Sequence, residues 1–244
     1  MFNFKERGVM SLFFRPLFEK KSSTYTYLLA DSETKEAIII DAVDETQQRD
    51  IGLIEELGLD LKYIIETHVH ADHITSSCPL KQKFKNAKIV LGVANAVVCA
   101  DILIKEGDSL QFGTHTIRAL ATPGHTNGCM SFVCEDKVFT GDALLIRSCG
   151  RCDFQGGSAE KLFDSIRKIF MLGDEVLVYP AHDYGGRTVS SIGEEKQFNE
   201  MIGGGVGKDE FVRRVNAMVL SLPKKIHVAV PANQVCGSKI LSDG

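Results

Sequence analysis

The run His68-Val69-His70-Ala71-Asp72-His73 constrains this chain more than any other stretch. It sets three imidazoles and a carboxylate side by side, directly after the strand-like segment Lys62-Tyr63-Ile64-Ile65-Glu66. Imidazole suits zinc, iron, copper and nickel, and carboxylate adds a hard oxygen donor. The cluster therefore favours a transition metal over calcium or magnesium. If the strand continues through the run, His68 and His70 point to the same side, because strand side chains alternate with period two. Asp72 and His73 then lie on the turn and aim at an adjacent position.

One run cannot close a metal site, and three later segments supply partners. Thr122-Pro123-Gly124-His125-Thr126 follows the apolar stretch Thr116 to Leu120. Phe139-Thr140-Gly141-Asp142-Ala143 follows Lys137-Val138, and Tyr179-Pro180-Ala181-His182-Asp183 follows Glu175 to Val178. Loops held by a rigid sheet are where ligands and catalytic groups usually sit. His125, Asp142 and His182 are thus the natural partners, with Asp142 placed to bridge two positions or to complete one.

The order H-x-H-x-D-H, lone His, Gly-Asp, last His is similar to the ligand order of the metallo-β-lactamase fold. Within that superfamily the chain most resembles the persulfide dioxygenases (sulfur dioxygenases). The likeness rests on Thr67 to Thr75, Thr140 to Ile146, Cys149 to Gly156, Tyr179 to Gly185 and Val230 to Gly237. The first stretch is shared across the superfamily. The Arg-x-Asp-Phe-Gln, Pro-Ala-His-Asp-Tyr and Pro-Ala-Asn-x-x-Cys-Gly stretches are more specific.

The elements read as mixed α and β. Strands are expected at Thr24–Ala30, Glu36–Asp41, Lys62–Glu66, Lys88–Gly92 and Val176–Tyr179, and a short one at Val228–Val230. Short strands between Leu110 and Phe139 suggest an antiparallel meander. Helices are expected at Gln47–Leu57, stopped by Gly58, at Ser76–Phe84, and at Ser158–Phe170 with Ser158 as N-cap. The resemblance implies a four-layer αββα sandwich, taken as one domain over residues 1–244.

Donor counting leaves the metal number open. His68, His70 and His125 suffice for one position, and Asp72, His73 and His182 for another, with Asp142 between. Zinc there would act as a Lewis acid for hydrolysis. Iron on two histidines and a carboxylate leaves positions for substrate and O₂. The resemblance implies one Fe(II) per chain on His68, His125 and Asp142. His70, Asp72, His73 and His182 then orient ligands and water, or form a second metal position. The implied reaction converts glutathione persulfide, O₂ and water into sulfite and glutathione. Substrate-binding candidates are Arg151, a carboxylate fork that otherwise pairs with Asp153, and also Tyr184 and Cys236. The alternative is a dinuclear glutathione thioesterase of the glyoxalase II type. Those enzymes have a longer helical C-terminal region than the stretch that follows His182 here.

A net charge of −4 gives no electrostatic case for nucleic acid, and no apolar run approaches the roughly 18 residues of a membrane span. Met1 to Leu12 shows neither a signal-peptide core nor the Arg/Ser richness of a transit peptide. The seven cysteines are odd in number and scattered, which suits a reducing cytoplasm better than a disulfide framework. A homodimer is allowed. Two motifs are set aside. Gly203 to Asp209 has one residue too few for a phosphate loop and lacks its hydroxyl residue, so it is expected to be a surface loop. Cys149-Gly150-Arg151-Cys152 does not open a helix in a thioredoxin-like unit. His115 is expected to be exposed.

Overall fold

The computed structural model describes residues 11–95 and 97–238. The terminal stretch read above for targeting signals lies outside the described residues up to position 10. In chain order the elements are β1 (Leu12–Glu19), β2 (Thr24–Asp31), β3 (Glu36–Ile40), α1 (Gln47–Glu56), β4 (Asp60–Ile65), α2 (Ser77–Lys83), β5 (Lys88–Gly92) and β6 (Ile102–Ile104). Then follow β7 (Ser109–Phe112), β8 (His115–Ala121), β9 (Met130–Cys134), β10 (Lys137–Gly141), α3 (Ala159–Phe170), β11 (Leu177–Pro180), β12 (Ser190–Ser191), α4 (Ile192–Phe198), α5 (Lys208–Asn216) and α6 (Ile226–Asn233).

Two six-stranded sheets form, ordered β1-β2-β3-β4-β5-β6 and β12-β11-β10-β9-β8-β7. Strict alternation along the strands explains why they stack. Tyr27, Leu29, Ile38, Ile40 and Ile65 face Phe112, Ile117, Phe132 and Phe139 between the sheets. Their neighbours Leu28, Ile39 and Ile64 turn the other way, onto Ile54 of α1 and Leu80 of α2. Val138 and Val178 of the second sheet cover Leu162, Ile166 and Ile169 of α3 and Phe211 of α5. The result is the four-layer αββα sandwich. Burying both faces of each central sheet removes water from near-continuous apolar strands, the main favourable term in folding.

The expected meander is present as β7-β8-β9-β10, all antiparallel. Ser158 caps α3 by accepting from the Lys161 amide at 3.2 Å. Four expectations are corrected. The strand before the histidine run ends at Ile65, so residues 67–73 are irregular backbone. Val228 to Val230 lies inside helix α6, because Ala229, Ala232 and Asn233 form one buried face. His115 is buried, since it opens β8 on the inward side shared with Ile117 and Ala119; its Nδ1 lies 2.8 Å from Glu135. Finally, Cys99 and Cys236 form a disulfide across 137 residues, against the expectation of a bridge-free chain. The glycine-rich decoy is a turn followed by α5, and its Lys208 pairs with Asp164 at 2.7 Å. No helix among the described residues is long and apolar enough to cross a membrane.

Candidate metal centre

The histidine run leaves β4 and is caught at once by Asp41, at the end of β3. The Asp41 carboxylate accepts from the Thr67 amide at 2.7 Å and from the Thr67 hydroxyl at 2.9 Å. Thr67 Oγ1 lies 3.0 Å from His68 Nδ1. Its hydroxyl proton is committed to Asp41, so it accepts from a protonated Nδ1, leaving the His68 Nε2 lone pair free. His125 is held the same way: its Nδ1 donates to the Arg151 carbonyl at 2.6 Å. Burial, followed by the neighbouring imidazoles, keeps His68 well below the ordinary histidine pKa, so it is neutral and competent as a ligand.

His68, His125 and Asp142 converge, with one donor atom from each lying within 4.8 Å of the others. His125 Nε2 is 3.5 Å from Asp142 Oδ2. Two glycines make the approach close enough. A Cβ on Gly150 would stand 2.2 Å from the Asp142 carbonyl and 2.9 Å from His125 Nδ1. Gly124, at φ +146°, packs its backbone onto Leu162 of α3, where a Cβ would fall 2.4 Å from that backbone. α3 thereby fixes the loop that presents His125, helped by Ser165, which donates to the Pro123 carbonyl at 2.7 Å.

The remaining members of the run lie beside this triad. His70, Asp72 and His73 also bring donor atoms within 4.8 Å of one another. His70, however, turns toward two buried carboxylates, its Nε2 3.2 Å from Asp41 and 3.5 Å from Glu66. Burial opposes a charge on His70, but Asp41 and Glu66 together raise its pKa. The rings of His68 and His70 are neighbours, with centroids 4.0 Å apart, yet they serve different groups. His182 closes the ring of donors, 3.5 Å from Asp72 and 3.7 Å from Asp142. Burial brings His73 down to about 4. Asp142 Oδ1, Asp72 Oδ2, His73 Nε2 and His70 Nδ1 are buried without a hydrogen-bond partner, while His70 Nε2 meets Asp41 and Glu66 through ion-pair contacts only. Such atoms are costly unless something satisfies them. A cation fits this donor set, and the two-histidine, one-carboxylate triad opens onto a cavity of about 770 Å³.

The cavity wall includes Arg151 and Tyr184 but not Cys236. Arg151 spends its fork on Asp153, at 2.6 Å twice, and on the carbonyls of Leu220 and Ser221 at 3.1 and 2.6 Å. This is the pairing with Asp153 weighed from sequence, extended to a second segment. Tyr184 is 76% exposed and stacks on His182, with centroids 5.8 Å apart. Cys236 is removed from the candidate wall: it is buried in its bridge to Cys99, and its carbonyl accepts from the Cys78 amide. Burial pushes the Cys152 thiol up to about 12 and raises Cys149 as well, and the two are free thiols without a bridge between them. Sequence reasoning missed Asp41, although it ends an apolar strand much as Asp142 does. It also gave no role to Asn233, which stands inside the quoted Pro-Ala-Asn stretch.

A model of the metallo-β-lactamase superfamily matches residues 20–94 and 100–182, and the chain belongs to that superfamily. Its similarity is strong to proteins named for persulfide oxidation. Persulfide dioxygenase ETHE1, mitochondrial, of Bos taurus is 49% identical over 226 residues, covering 91% of this chain and 88% of that protein. The crystal structure of ETHE1 from Myxococcus xanthus superposes with a TM-score of 0.89 at 47% identity, covering 92% of this chain and 99% of that one. Glyoxylase B2 of Dictyostelium discoideum is more distant, 33% identical over 233 residues and 80% of each chain.

Proposed function

We propose that this protein is an Fe(II)-dependent persulfide dioxygenase acting on glutathione persulfide. The reaction consumes one O₂ and one water and yields sulfite, glutathione and two protons. The terminal sulfur gives up four electrons, O₂ accepts them, and the S–S bond breaks with the thiol as leaving group. The observation that carries this reading is the tautomer lock. Thr67 and the Arg151 carbonyl hold both Nδ1 protons, so two Nε2 lone pairs and the Asp142 carboxylate face one point on the cavity wall. Iron held by such a triad supplies a redox couple together with open positions for substrate and O₂.

The chain's own groups do the rest. His70 is engaged by Asp41 and Glu66, which supports its assignment outside the triad. Asp72, His73 and His182 border the triad and orient water or substrate, and the Tyr184 hydroxyl offers a donor on the same wall. Similarity to the ETHE1 proteins over most of the chain supports the substrate class. The reading also takes residues 1–244 as one domain.

One observation favours a second reading. His70, Asp72 and His73 also cluster, as a dinuclear thioesterase would need. Anaerobic metal analysis combined with oxygen uptake separates the two. The proposal expects about one iron per chain and equimolar O₂ loss and sulfite formation with glutathione persulfide. Two tightly held zinc ions with hydrolysis of a glutathione thioester would overturn it.

A further inference from the structure

We propose that Arg187 is the receptor for a substrate carboxylate. The claim rests on the glutathione persulfide reading for the identity of that carboxylate. Three arginines line the cavity: Arg147, Arg151 and Arg187. Two of them are spent. Arg147 pairs with Glu194 and Glu195 and donates to Ser190 at 3.1 Å. Arg151 is held by Asp153 and by two carbonyls of the segment 220–221. Arg187 has neither a side-chain hydrogen bond nor an ion pair among the described residues. A guanidinium presents five donors in a planar fork that matches a carboxylate with two parallel bonds.

An exposed arginine without a partner is by itself ordinary. The loop that carries this one is not slack, however. Asp183, next to His182, accepts from the amides of Gly185 and Thr188 at 2.9 and 2.8 Å. The Val189 amide donates to the Arg187 carbonyl at 2.8 Å, so Arg187 opens a closed three-residue turn centred on Thr188, whose φ is +67°. The guanidinium folds back over that turn, its Nη1 2.7 Å from where a Cβ on Gly185 would stand, on the side that the Asp183 carboxylate also faces. The same turn delivers His182 and Tyr184 to the cavity. A carboxylate held by Arg187 is therefore registered against the metal-side histidine through one short, braced segment. Glutathione carries two carboxylates at its ends and its sulfur in the middle, which suits an anchor on the wall rather than at the metal.

The test uses iron-loaded protein under anaerobic conditions, with glutathione and its diethyl ester as probes in calorimetry. Wild type is expected to bind glutathione roughly 5- to 20-fold tighter than the diester, a charge-assisted contact discounted for exposure. Arg187→Ala should abolish that preference, and Arg187→Lys should restore part of it. In turnover, the ratio of kcat/KM for glutathione persulfide to that for cysteamine persulfide should fall by a similar factor in Arg187→Ala. An unchanged preference in Arg187→Ala overturns the proposal, as does a wild type that shows no preference. Equal loss on both probes also overturns it, because that marks collapse of the turn. If wild type oxidises no persulfide yet loses its carboxylate preference in the variant, the dioxygenase reading fails and the anchor stands.

Discussion

Asn233, in the C-terminal helix, donates to the carbonyl of His73 at 2.8 Å, holding the turn of the histidine run from 160 residues away. Its second amide proton reaches the His70 carbonyl at 2.9 Å, and its oxygen accepts from the Thr75 amide at 2.9 Å. One buried side chain thus satisfies three backbone groups of the segment that bears the metal donors. Asn233→Ala leaves all three without partners. A buried unsatisfied group costs about 1–3 kcal/mol, so urea unfolding should show a loss of at least that size, with iron retained less well through gel filtration. Asn233→Asp should fare no better, since it removes both donors. A variant with unaltered stability and metal retention would show the clamp to be redundant.

The Cys99–Cys236 bridge ties down the same C-terminal segment three residues beyond Asn233, and its removal should be felt as stability. Bridges of this kind contribute about 2–4 kcal/mol, chiefly by restricting the unfolded chain. Reductant should lower the Tm of wild type but leave that of Cys99→Ser unchanged. Equal melting of oxidised and reduced wild type would dismiss the contribution.

Donor roles separate by metal content. His68→Ala, His125→Ala and Asp142→Ala each remove a triad donor and should strip the iron. His182→Ala should keep much of it while turnover falls about 10- to 100-fold, the usual cost of losing a group that orients ligands. Complete metal loss in the His182 variant would instead favour a second occupied position.

Arg151 holds the segment that carries Met218, Leu220 and Pro223 along the cavity wall. Arg151→Ala should therefore lower kcat/KM on glutathione persulfide and on a carboxylate-free persulfide by a similar factor, roughly 5- to 50-fold for lost bonds to a charged group. A loss confined to glutathione persulfide would make Arg151 a carboxylate reader after all.

Asp31 ties the two sheets at the edge away from the metal. Its carboxylate accepts from the amide and hydroxyl of Thr114 at 2.8 and 2.7 Å. Those bonds, with the amides of Thr34 and Glu33, hold its pKa well below the ordinary carboxylate range. The folded-state pKa is depressed. The stabilisation is thus present above the unfolded value near about 4 and is lost as pH falls through the folded value. Melting of wild type and Asp31→Asn should differ most at neutral pH and converge in strong acid. A gap that stays constant with pH would count against the carboxylate.

The donors themselves were legible in the sequence. Histidines and aspartates stood at the ends of apolar strands, the apolar run Thr24–Ala30 announced a strand, and Ser158 announced the start of α3. Such signals are local, because side-chain period and capping depend on neighbours a few residues away. The division of the donors was not local. His70 stands two residues from His68, yet Asp41 and Glu66 draw it away, and only the packing of β3 beside β4 sets them there. His115 is buried because its strand faces the opposing sheet, which nothing in its own segment states. The segment around Pro231 reads as a strand by composition and is a helix because Ala229, Ala232 and Asn233 dock as one face. The sequence determined which atoms can bind a metal. Contacts between strands and loops apart in sequence decided which of them face the same point, because they arise only when separate segments are brought together by burial of the shared core.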